Sequence, residues 1–335
     1  MSVPAADLAS PALYPLRSDG GRVTFVEMSE ADYAAAAFLD ERLMLAGRAT
    51  REAPWAEVER VAAALGGECD FIFHIGHVGS TLLSRLLGME PRVFSVREPA
   101  ILRTLAAEAP SPERDRRIDR FLELWARVWR PEQKTLLKAT SFVGEIAPVL
   151  MERSPTARAL LMVTAPHIHI AGILGGHASR GEMAALAPAR LARLNARLGG
   201  GAFALEAMSQ GERAAMGWTS EIMALAAAAN AFPGRVMWLN FERFLERPEP
   251  TLAAALGHLH GAADPAGVTA MARSPHMGRY AKAPEHAFDA AARAGVLGEA
   301  RREHGGEIDR GIAWINAAAT AHPAIAAAIR RAAGR

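Results

Sequence analysis

Two glycines and two hydroxyl residues stand between an apolar run and a helical pattern. The segment reads FIFHIGHVGSTLLSRLL over residues 71–87, with Gly76 and Gly79 followed by Ser80 and Thr81. A phosphate group needs clustered N–H donors at a helix N-terminus, and small residues that let it approach. The segment therefore predicts a phosphate-binding strand–loop–helix. An ordinary β–α turn with a serine N-cap is the alternative that these residues alone leave open.

The loop lacks the residues with which nucleotide triphosphatases bind ATP or GTP. In the pattern G-x-x-x-x-G-K-S/T, the first glycine would fall on His74 and the lysine on Ser80. In those enzymes an aspartate also helps to bind Mg²⁺. No predicted strand ends in such an aspartate, and the apolar run 236–239 leads into the residues NFE. Hydrolysis of ATP or GTP is therefore disfavoured on chemical grounds.

The composition favours a globular protein rich in helix. Half of the 335 residues are hydrophobic, and the formal charge of +2 calls for neither a nucleic acid partner nor an anionic membrane. The single cysteine, Cys69, cannot form an internal disulfide, which fits a reducing compartment. Residues 1–16 lack the pattern of a signal peptide, and no window approaches the roughly 20 apolar residues that span a bilayer. We therefore expect a cytoplasmic protein without nucleic acid or membrane partners.

Short apolar runs alternate with longer helical patterns along the chain. Runs without in–out alternation suit strands covered on both faces, and strand–helix alternation predicts a parallel sheet. Residues 1–21 are rich in Pro, Ser, Gly and Ala and predict a loose leader. For residues 22–335 we predict one α/β domain with a three-layer core, a helical N-terminal lead-in and a helical C-terminal cap. The predicted strands cover residues 71–75, 93–96, 135–138, 159–163 and 236–239.

The residues HVGST at 77–81 resemble the loop Lys/Arg-Ser/Thr-Gly-Ser/Thr-Thr of the sulfotransferases. In that family the loop joins the first strand and first helix of a P-loop core. It binds the 5′-phosphosulfate of 3′-phosphoadenosine 5′-phosphosulfate (PAPS), and the family needs no metal. Here a histidine replaces the basic residue of the pattern, and a neutral imidazole can still donate one hydrogen bond. The residues that the resemblance assigns to the donor are Gly76, His77, Val78, Gly79, Ser80 and Thr81.

Two charged residues stand where the family carries catalytic groups. Glu98 has the spacing from the loop that the catalytic base has in the tyrosylprotein branch, so the resemblance implies that it takes the acceptor's proton. Lys138 follows an apolar run, as a lysine does in the family, and would stabilise the leaving phosphate together with His77. Without the resemblance, Glu98 would be an exposed acid at a helix start and Lys138 a snorkelling lysine.

Further segments extend the resemblance over roughly residues 70–260. Residues 157–166 resemble the strand that precedes the family's 3′-phosphate site, and residues 235–252 resemble a strand followed by Y-E-D-L and a Pro-started helix. Later in the chain, Arg279 and Lys282 belong to a basic segment like the loop that closes over the cofactor in several sulfotransferases. The resemblance implies that both bind the donor, and a solvated loop is the alternative.

The chain departs from the family at the site for the 3′-phosphate. The third strand of the family normally ends in R-x-P, whose arginine binds this phosphate with help from a serine some eight residues later. Here the corresponding residues are Thr164 and Gly172, so both expected ligands are absent. A lost charge-assisted contact weakens binding, which leaves the donor less defined than the loop. The basic residues considered as substitutes are Arg85, Arg158, His167 and His169.

These features together predict transfer of a sulfuryl group from PAPS to a hydroxyl or amine acceptor, either a small molecule or a peptide. Two other functions stay open: a P-loop phosphotransferase or nucleotide-binding protein, and a non-catalytic descendant that binds an anion or a protein partner. The histidine pairs at 74 and 77 and at 167 and 169 lack the further ligands of a zinc site, so no metal is expected. No feature of the sequence indicates an oligomeric state.

Overall fold

The computed structural model describes residues 3–279, 281, 287 and 289–334, and their strands form two sheets. The first sheet is antiparallel and the second is parallel. The strands of the first sheet are β1 (Leu13–Ser18), β2 (Arg22–Glu27) and β3 (Thr50–Pro54). The strands of the second sheet are β4 (Cys69–His74), β5 (Val93–Arg97), β6 (Lys134–Lys138), β7 (Ala159–Val163) and β8 (Val236–Asn240).

Helices connect the strands and make up most of the C-terminal part. Those before β7 are α1 (Ala5–Leu8), α2 (Glu30–Ala35), α3 (Arg42–Leu45), α4 (Trp55–Ala62), α5 (Ser80–Leu87), α6 (Ala100–Ala107), α7 (Pro112–Trp125) and α8 (Ala147–Glu152). Those after β7 are α9 (Pro166–Leu174), α10 (His177–Arg197), α11 (Gln210–Ala231), α12 (Phe241–Glu246), α13 (Pro248–His260), α14 (Pro265–Ala272), α15 (Ala290–Ala321) and α16 (Pro323–Ala332). Short 3₁₀ helices cover Ser141–Ile146, Leu205–Ala207 and Pro275–Gly278.

The parallel sheet confirms the predicted α/β fold, with strand order β5-β6-β4-β7-β8 and helices flanking it. Each of the five predicted strands is present within one or two residues of its predicted bounds. Every residue of β4, β5 and β7 is buried, which explains why these runs are apolar without alternation. Because all five strands are parallel, their carboxyl ends meet at one edge of the sheet, where open α/β sheets bind ligands.

The N-terminal segment is not a loose leader, so that prediction is wrong for the part of it that the structure describes. Helix α1 and strand β1 lie within it, and Leu8, Leu13 and Leu16 are buried. Pro15 fits into β1 because this is an edge strand with an irregular register after that residue. The buried guanidinium of Arg127 donates hydrogen bonds to the carbonyl oxygens of Leu8 and Leu13. The lead-in, predicted as helical, therefore also contains a three-stranded sheet.

The C-terminal part is helical, as predicted. Helices α9, α11 and α15 pack against one another, and α16 packs on α11. Helix α15 is interrupted at His304, whose backbone angles are not helical. In the part of the chain that the structure describes, no individual helix combines the length and apolar character needed to cross a bilayer. The pair Ala290–Ala321 and Pro323–Ala332, bent by 117°, meets that requirement only when taken together.

Candidate functional site

The loop between β4 and α5 has a backbone that few residue types adopt. Gly76, His77 and Gly79 have φ angles of 84°, 55° and 63°, all in the left-handed region. Glycine reaches this region without steric cost, but a residue with a Cβ pays for it in strain. Strained non-glycine residues persist where the surrounding structure holds them, and they concentrate at functional sites. His77 is therefore a strained residue at the centre of the loop.

Gly79 cannot carry a side chain because an aromatic ring packs directly on it. A Cβ at this position would lie 2.1 Å from Cε2 of Phe241, the first residue of α12. Phe241 is itself buried and lines the cavity described below. The ring of Phe241, which follows β8, thus contacts the loop that follows β4. These two segments pack together at the carboxyl edge of the parallel sheet.

His74, the last residue of β4, holds the start of the loop. Its Nδ1 accepts a hydrogen bond from the backbone N–H of Gly76 at 3.0 Å. The other ring nitrogen, Nε2, lies 2.9 Å from the carbonyl oxygen of Ala139 and must therefore donate the proton. These two bonds connect the loop to the strand end of β6, and they require the neutral tautomer of His74 that is protonated at Nε2.

The N-terminus of α5 presents polar groups that have no partners among the residues described by the structure. Gly79 at the N-cap supplies no side chain to cap the helix, and the first N–H groups of a helix have no intrahelical acceptor. Thr81 is 2 % exposed, and its Oγ1 has no hydrogen-bond partner among the residues that the structure describes. A buried hydroxyl without a partner costs free energy. The arrangement fits an anion that would accept these hydrogen bonds.

A cavity of about 350 Å³ lies at the carboxyl edge of the parallel sheet. Its walls come from the loop, from the turns after β5 and β6, and from helices α9, α10, α12 and α15. Short segments around Met277, Arg279 and Ala281 complete it. The cavity thus brings together residues that are up to about 220 positions apart in the sequence, from His74 to Leu297.

Glu98 lies in this cavity and is held by Lys138. Its carboxylate forms an ion pair with the Lys138 ammonium, and Oε2 accepts a 3.3 Å hydrogen bond from the Thr140 hydroxyl. The backbone of Glu98 has a φ of 52°, and its N–H donates to the Lys138 carbonyl oxygen at 2.7 Å. Among the described residues, Glu98 and His77 are the non-glycine residues with a left-handed backbone, and both line this cavity.

A second polar cluster lies beside the loop, on α9 and α10. Nε2 of His77 is 3.6 Å from Oε2 of Glu182, and the rings of His77 and His169 are edge to face with centroids 6.4 Å apart. Burial, together with the nearby His77 and Arg190, holds the pKa of His169 well below its ordinary value, so this imidazole is neutral at pH 7. Its Nδ1 has no hydrogen-bond partner within the described ranges.

Comparison with solved structures finds similarity to sulfotransferases, at low sequence identity and low TM-score. No family model matches the chain, and no curated protein matches its sequence. A sulfotransferase domain from the curacin biosynthetic pathway is 14% identical, with 67% of this chain and 84% of that chain covered and a TM-score of 0.40. A sulfotransferase from Alicyclobacillus acidocaldarius is 15% identical, with 59% and 82% covered and a TM-score of 0.37. Sulfotransferase STF9 from Mycobacterium avium is 11% identical, with 74% and 79% covered and a TM-score of 0.41.

The structure brings most of the predicted site residues into the one cavity. The predicted residues that line it are Gly76, His77, Val78, Gly79, Ser80, Thr81, Glu98 and Arg279. Lys138 does not line it: this side chain is fully buried against Glu98, so its direct contact with a leaving phosphate stays a prediction that the geometry does not favour. Lys282 lies outside the described residues. Among those residues no group of three or more His, Cys, Asp or Glu is arranged to hold a metal ion.

The proposed substitutes for the missing 3′-phosphate ligands are mostly elsewhere. Arg85 donates to the carbonyl oxygens of Ala34, Ala35 and Ala281, and it does not line the cavity. Nor do the side chains of Arg158 and His167. Only His169 of the four lies in the cavity wall.

A cation that no sequence pattern indicated also lines the cavity, Arg293 of α15. Its guanidinium donates to Oε1 of Glu242 at 2.7 Å, and Oε2 of Glu242 accepts a 2.6 Å hydrogen bond from the hydroxyl of Thr164. Thr164 is the residue that replaces the expected strand-end arginine. No local pattern marks Arg293, because its partners Glu242 and Phe241 belong to α12, about 50 positions away in the sequence.

Proposed function

We propose that the protein is a sulfotransferase-type enzyme that transfers a sulfuryl group from PAPS to a hydroxyl or amine of a small-molecule or peptide acceptor. One observation carries the proposal: the start of α5, where the Thr81 hydroxyl has no partner among the described residues, shares a cavity with the carboxylate of Glu98. Binding of the donor and removal of the acceptor's proton need these two groups near each other. The motif resemblance supplies the identity of the anion.

The loop residues would hold the donor, which supplies the sulfuryl group when it is bound. The N–H groups at the start of α5 and the hydroxyls of Ser80 and Thr81 donate toward the cavity, where a phosphosulfate would accept. Arg279, in the cavity wall, adds a positive charge. By the resemblance, Lys282 does the same. His77 is held beside Glu182, so it contributes from the boundary between the loop and α10.

Glu98 is the proposed general base, and Lys138 is proposed to position it. The Lys138 ammonium pairs with one carboxylate oxygen, and the Thr140 hydroxyl bonds to the other. A fixed carboxylate in the cavity wall can accept the proton of an acceptor hydroxyl or amine. Because Lys138 is buried beneath Glu98, its charge acts through the carboxylate, which differs from the direct role that the resemblance implies.

The binding half of this proposal is tested with two hydroxyl deletions on α5. Thr81→Val removes an oxygen that has no hydrogen-bond partner among the described residues, so we expect unchanged or higher stability and at least about tenfold weaker binding of 3′,5′-ADP. Ser84→Ala is the matched control, because Ser84 Oγ bonds to Ser95 Oγ at 2.7 Å. It should lower the free energy of unfolding by about 1 kcal/mol and leave the nucleotide affinity unchanged. Calorimetric titration and chemical unfolding measure the two quantities.

The transfer half is tested by incubating the protein with PAPS and a panel of phenols, alcohols, amines and tyrosine peptides. Formation of 3′,5′-ADP together with a sulfated acceptor supports the proposal. Turnover of ATP that requires Mg²⁺ would support a phosphotransferase in its place. A folded protein that binds no adenosine phosphate would contradict both and leave the non-catalytic alternative.

A further inference from the structure

The position of the missing strand-end arginine is occupied by a short relay of side chains. Thr164 follows β7 directly, and its hydroxyl donates to Glu242 of α12 at 2.6 Å. Glu242 in turn accepts a 2.7 Å hydrogen bond from the Arg293 guanidinium, and the two side chains form an ion pair. The carboxylate therefore uses one oxygen for each partner. A chain of polar contacts leads from the strand end to a cation on α15.

The Arg293 guanidinium has N–H donors that its hydrogen bond to Glu242 does not use. A guanidinium carries five N–H groups, and that of Arg293 makes one hydrogen bond among the described residues. Its side chain is 16% exposed, and the residue lines the cavity. None of its nitrogens is buried without a partner. The ion pair with Glu242 thus orients the group while leaving N–H donors accessible to a ligand.

The same aromatic ring connects Arg293 with the phosphate loop. The guanidinium carbon lies 4.9 Å from the centroid of the Phe241 ring. That ring also packs on Gly79, the loop residue before α5. A cation held over an aromatic ring is stabilised by the ring's electron density. An anion bound by Arg293 and an anion bound by the loop would therefore both lie beside the Phe241 ring.

The acidic groups of the cavity have partners of their own, and a further cation lines the cavity. The Asp289 carboxylate caps α15 by accepting from the Ala292 N–H at 2.8 Å. Glu98 pairs with Lys138, and Glu182 lies beside His77. Arg279 lines the same cavity as a further cation.

We propose that Arg293 binds the ribose 3′-phosphate of the donor, in place of the strand-end arginine that the chain lacks. This assignment rests on the proposed function. Arg293 of helix α15 supplies the positive charge that recognises a phosphate monoester. Glu242 and Thr164 act as residues that position the Arg293 guanidinium. Guanidinium groups suit this task because they bind phosphate oxygens through two parallel hydrogen bonds.

The test compares two nucleotides that differ only in the 3′-phosphate. We expect the wild-type protein to bind 3′,5′-ADP more tightly than 5′-AMP. Arg293→Ala should weaken the binding of 3′,5′-ADP by roughly 10- to 100-fold and that of 5′-AMP by less than about twofold. Arg301→Ala is the matched control on the same helix, since Arg301 is 54% exposed, pairs with Asp309 and does not line this cavity. It should change neither affinity.

Three results would overturn the assignment: no preference of the wild type for 3′,5′-ADP, an equal loss for both nucleotides in Arg293→Ala, or no loss for either. If Arg293→Ala does not fold, Arg293→Lys keeps the charge but not the forked geometry. It should then lose several-fold in 3′,5′-ADP affinity alone. Thr81→Val separates this inference from the function itself, because that variant should lose affinity for both nucleotides. A wild type that binds neither refutes the function and the assignment together.

Discussion

The loop between β4 and α5 and the wall that faces the cavity from α9, α10 and α15 are built in different ways. The loop groups lie within eight consecutive residues, from His74 to Thr81, and its backbone angles and the start of α5 position them. The charged wall groups are single residues on helices, and each lies beside a partner from another element. Arg293 depends on Glu242 of α12, and Glu182 of α10 lies beside His77 of the loop.

This difference predicts different responses to substitution. A change of backbone freedom should damage the loop, because its function depends on left-handed residues and uncapped N–H groups. The wall should tolerate small backbone changes but respond to the loss of a charge or a hydrogen bond. Glu98 combines both properties, since it has a left-handed backbone and a buried charged partner.

The largest effect is expected from the Glu98–Lys138 pair. Glu98→Gln should lower turnover by about 10²- to 10⁴-fold, because the proton acceptor is lost, while nucleotide affinity stays within about twofold. Lys138→Met should destabilise the protein by about 3–5 kcal/mol, since it leaves a buried carboxylate without its partner. Activity assays with PAPS and chemical unfolding measure these changes.

The double variant Glu98→Gln/Lys138→Met supplies the control for folding. It removes both charges, so it should recover much of the stability lost in Lys138→Met while remaining inactive and able to bind nucleotide. Full turnover in Glu98→Gln would show that another group is the base. A double variant no more stable than Lys138→Met would show that the pair is not the source of the loss.

Substitution of glycine distinguishes the loop from the wall directly. Gly79→Ala should cost at least about 2 kcal/mol of unfolding free energy, because it combines a left-handed backbone with a collision against Phe241. Gly172→Ala in α9 is the matched change, since no atom lies within 4 Å of the added carbon. It should be neutral or slightly stabilising, because alanine favours helix. Equal costs at the two positions would contradict the distinction.

The smallest effect concerns the buried imidazole of the wall. The folded state holds the pKa of His169 below the value of 6.5 expected in the unfolded chain. Below pH 6.5 the unfolded state therefore binds a proton that the folded state does not, and the free energy of unfolding falls as the pH decreases. Above that pH, both states hold a neutral imidazole and His169 adds no pH dependence.

His169→Gln should reduce this slope by at most about 1.4 kcal/mol per pH unit between pH 6.5 and 5.5. Because the pKa values of His258, His260 and His276 are also lowered, the wild-type curve contains their contributions as well. The difference between the two unfolding curves isolates His169. Parallel curves over this range would indicate that His169 takes up its proton equally in the folded and unfolded states.

Much of the fold could be predicted because its signals are local. The apolar runs of β4, β5 and β7 are buried on both faces of the sheet, so their composition records their environment. The N-terminal sheet could not be predicted in the same way. Its proline and glycine content suggested a loose segment, but buried leucines and the buried guanidinium of Arg127 hold it in place. Those contacts come from residues more than 100 positions away.

The sequence by itself determined the loop, its glycines and the presence of hydroxyl donors at a helix start, because these depend on residues that are adjacent in the chain. It also placed Glu98 near the loop, since both follow strands whose carboxyl ends lie at one edge of the same parallel sheet. Only the tertiary structure decided that Lys138 is buried beneath Glu98 and that Glu242 bonds to both Arg293 and Thr164. Contacts of this kind join elements that are distant in the sequence, and no local periodicity records which long side chains will meet.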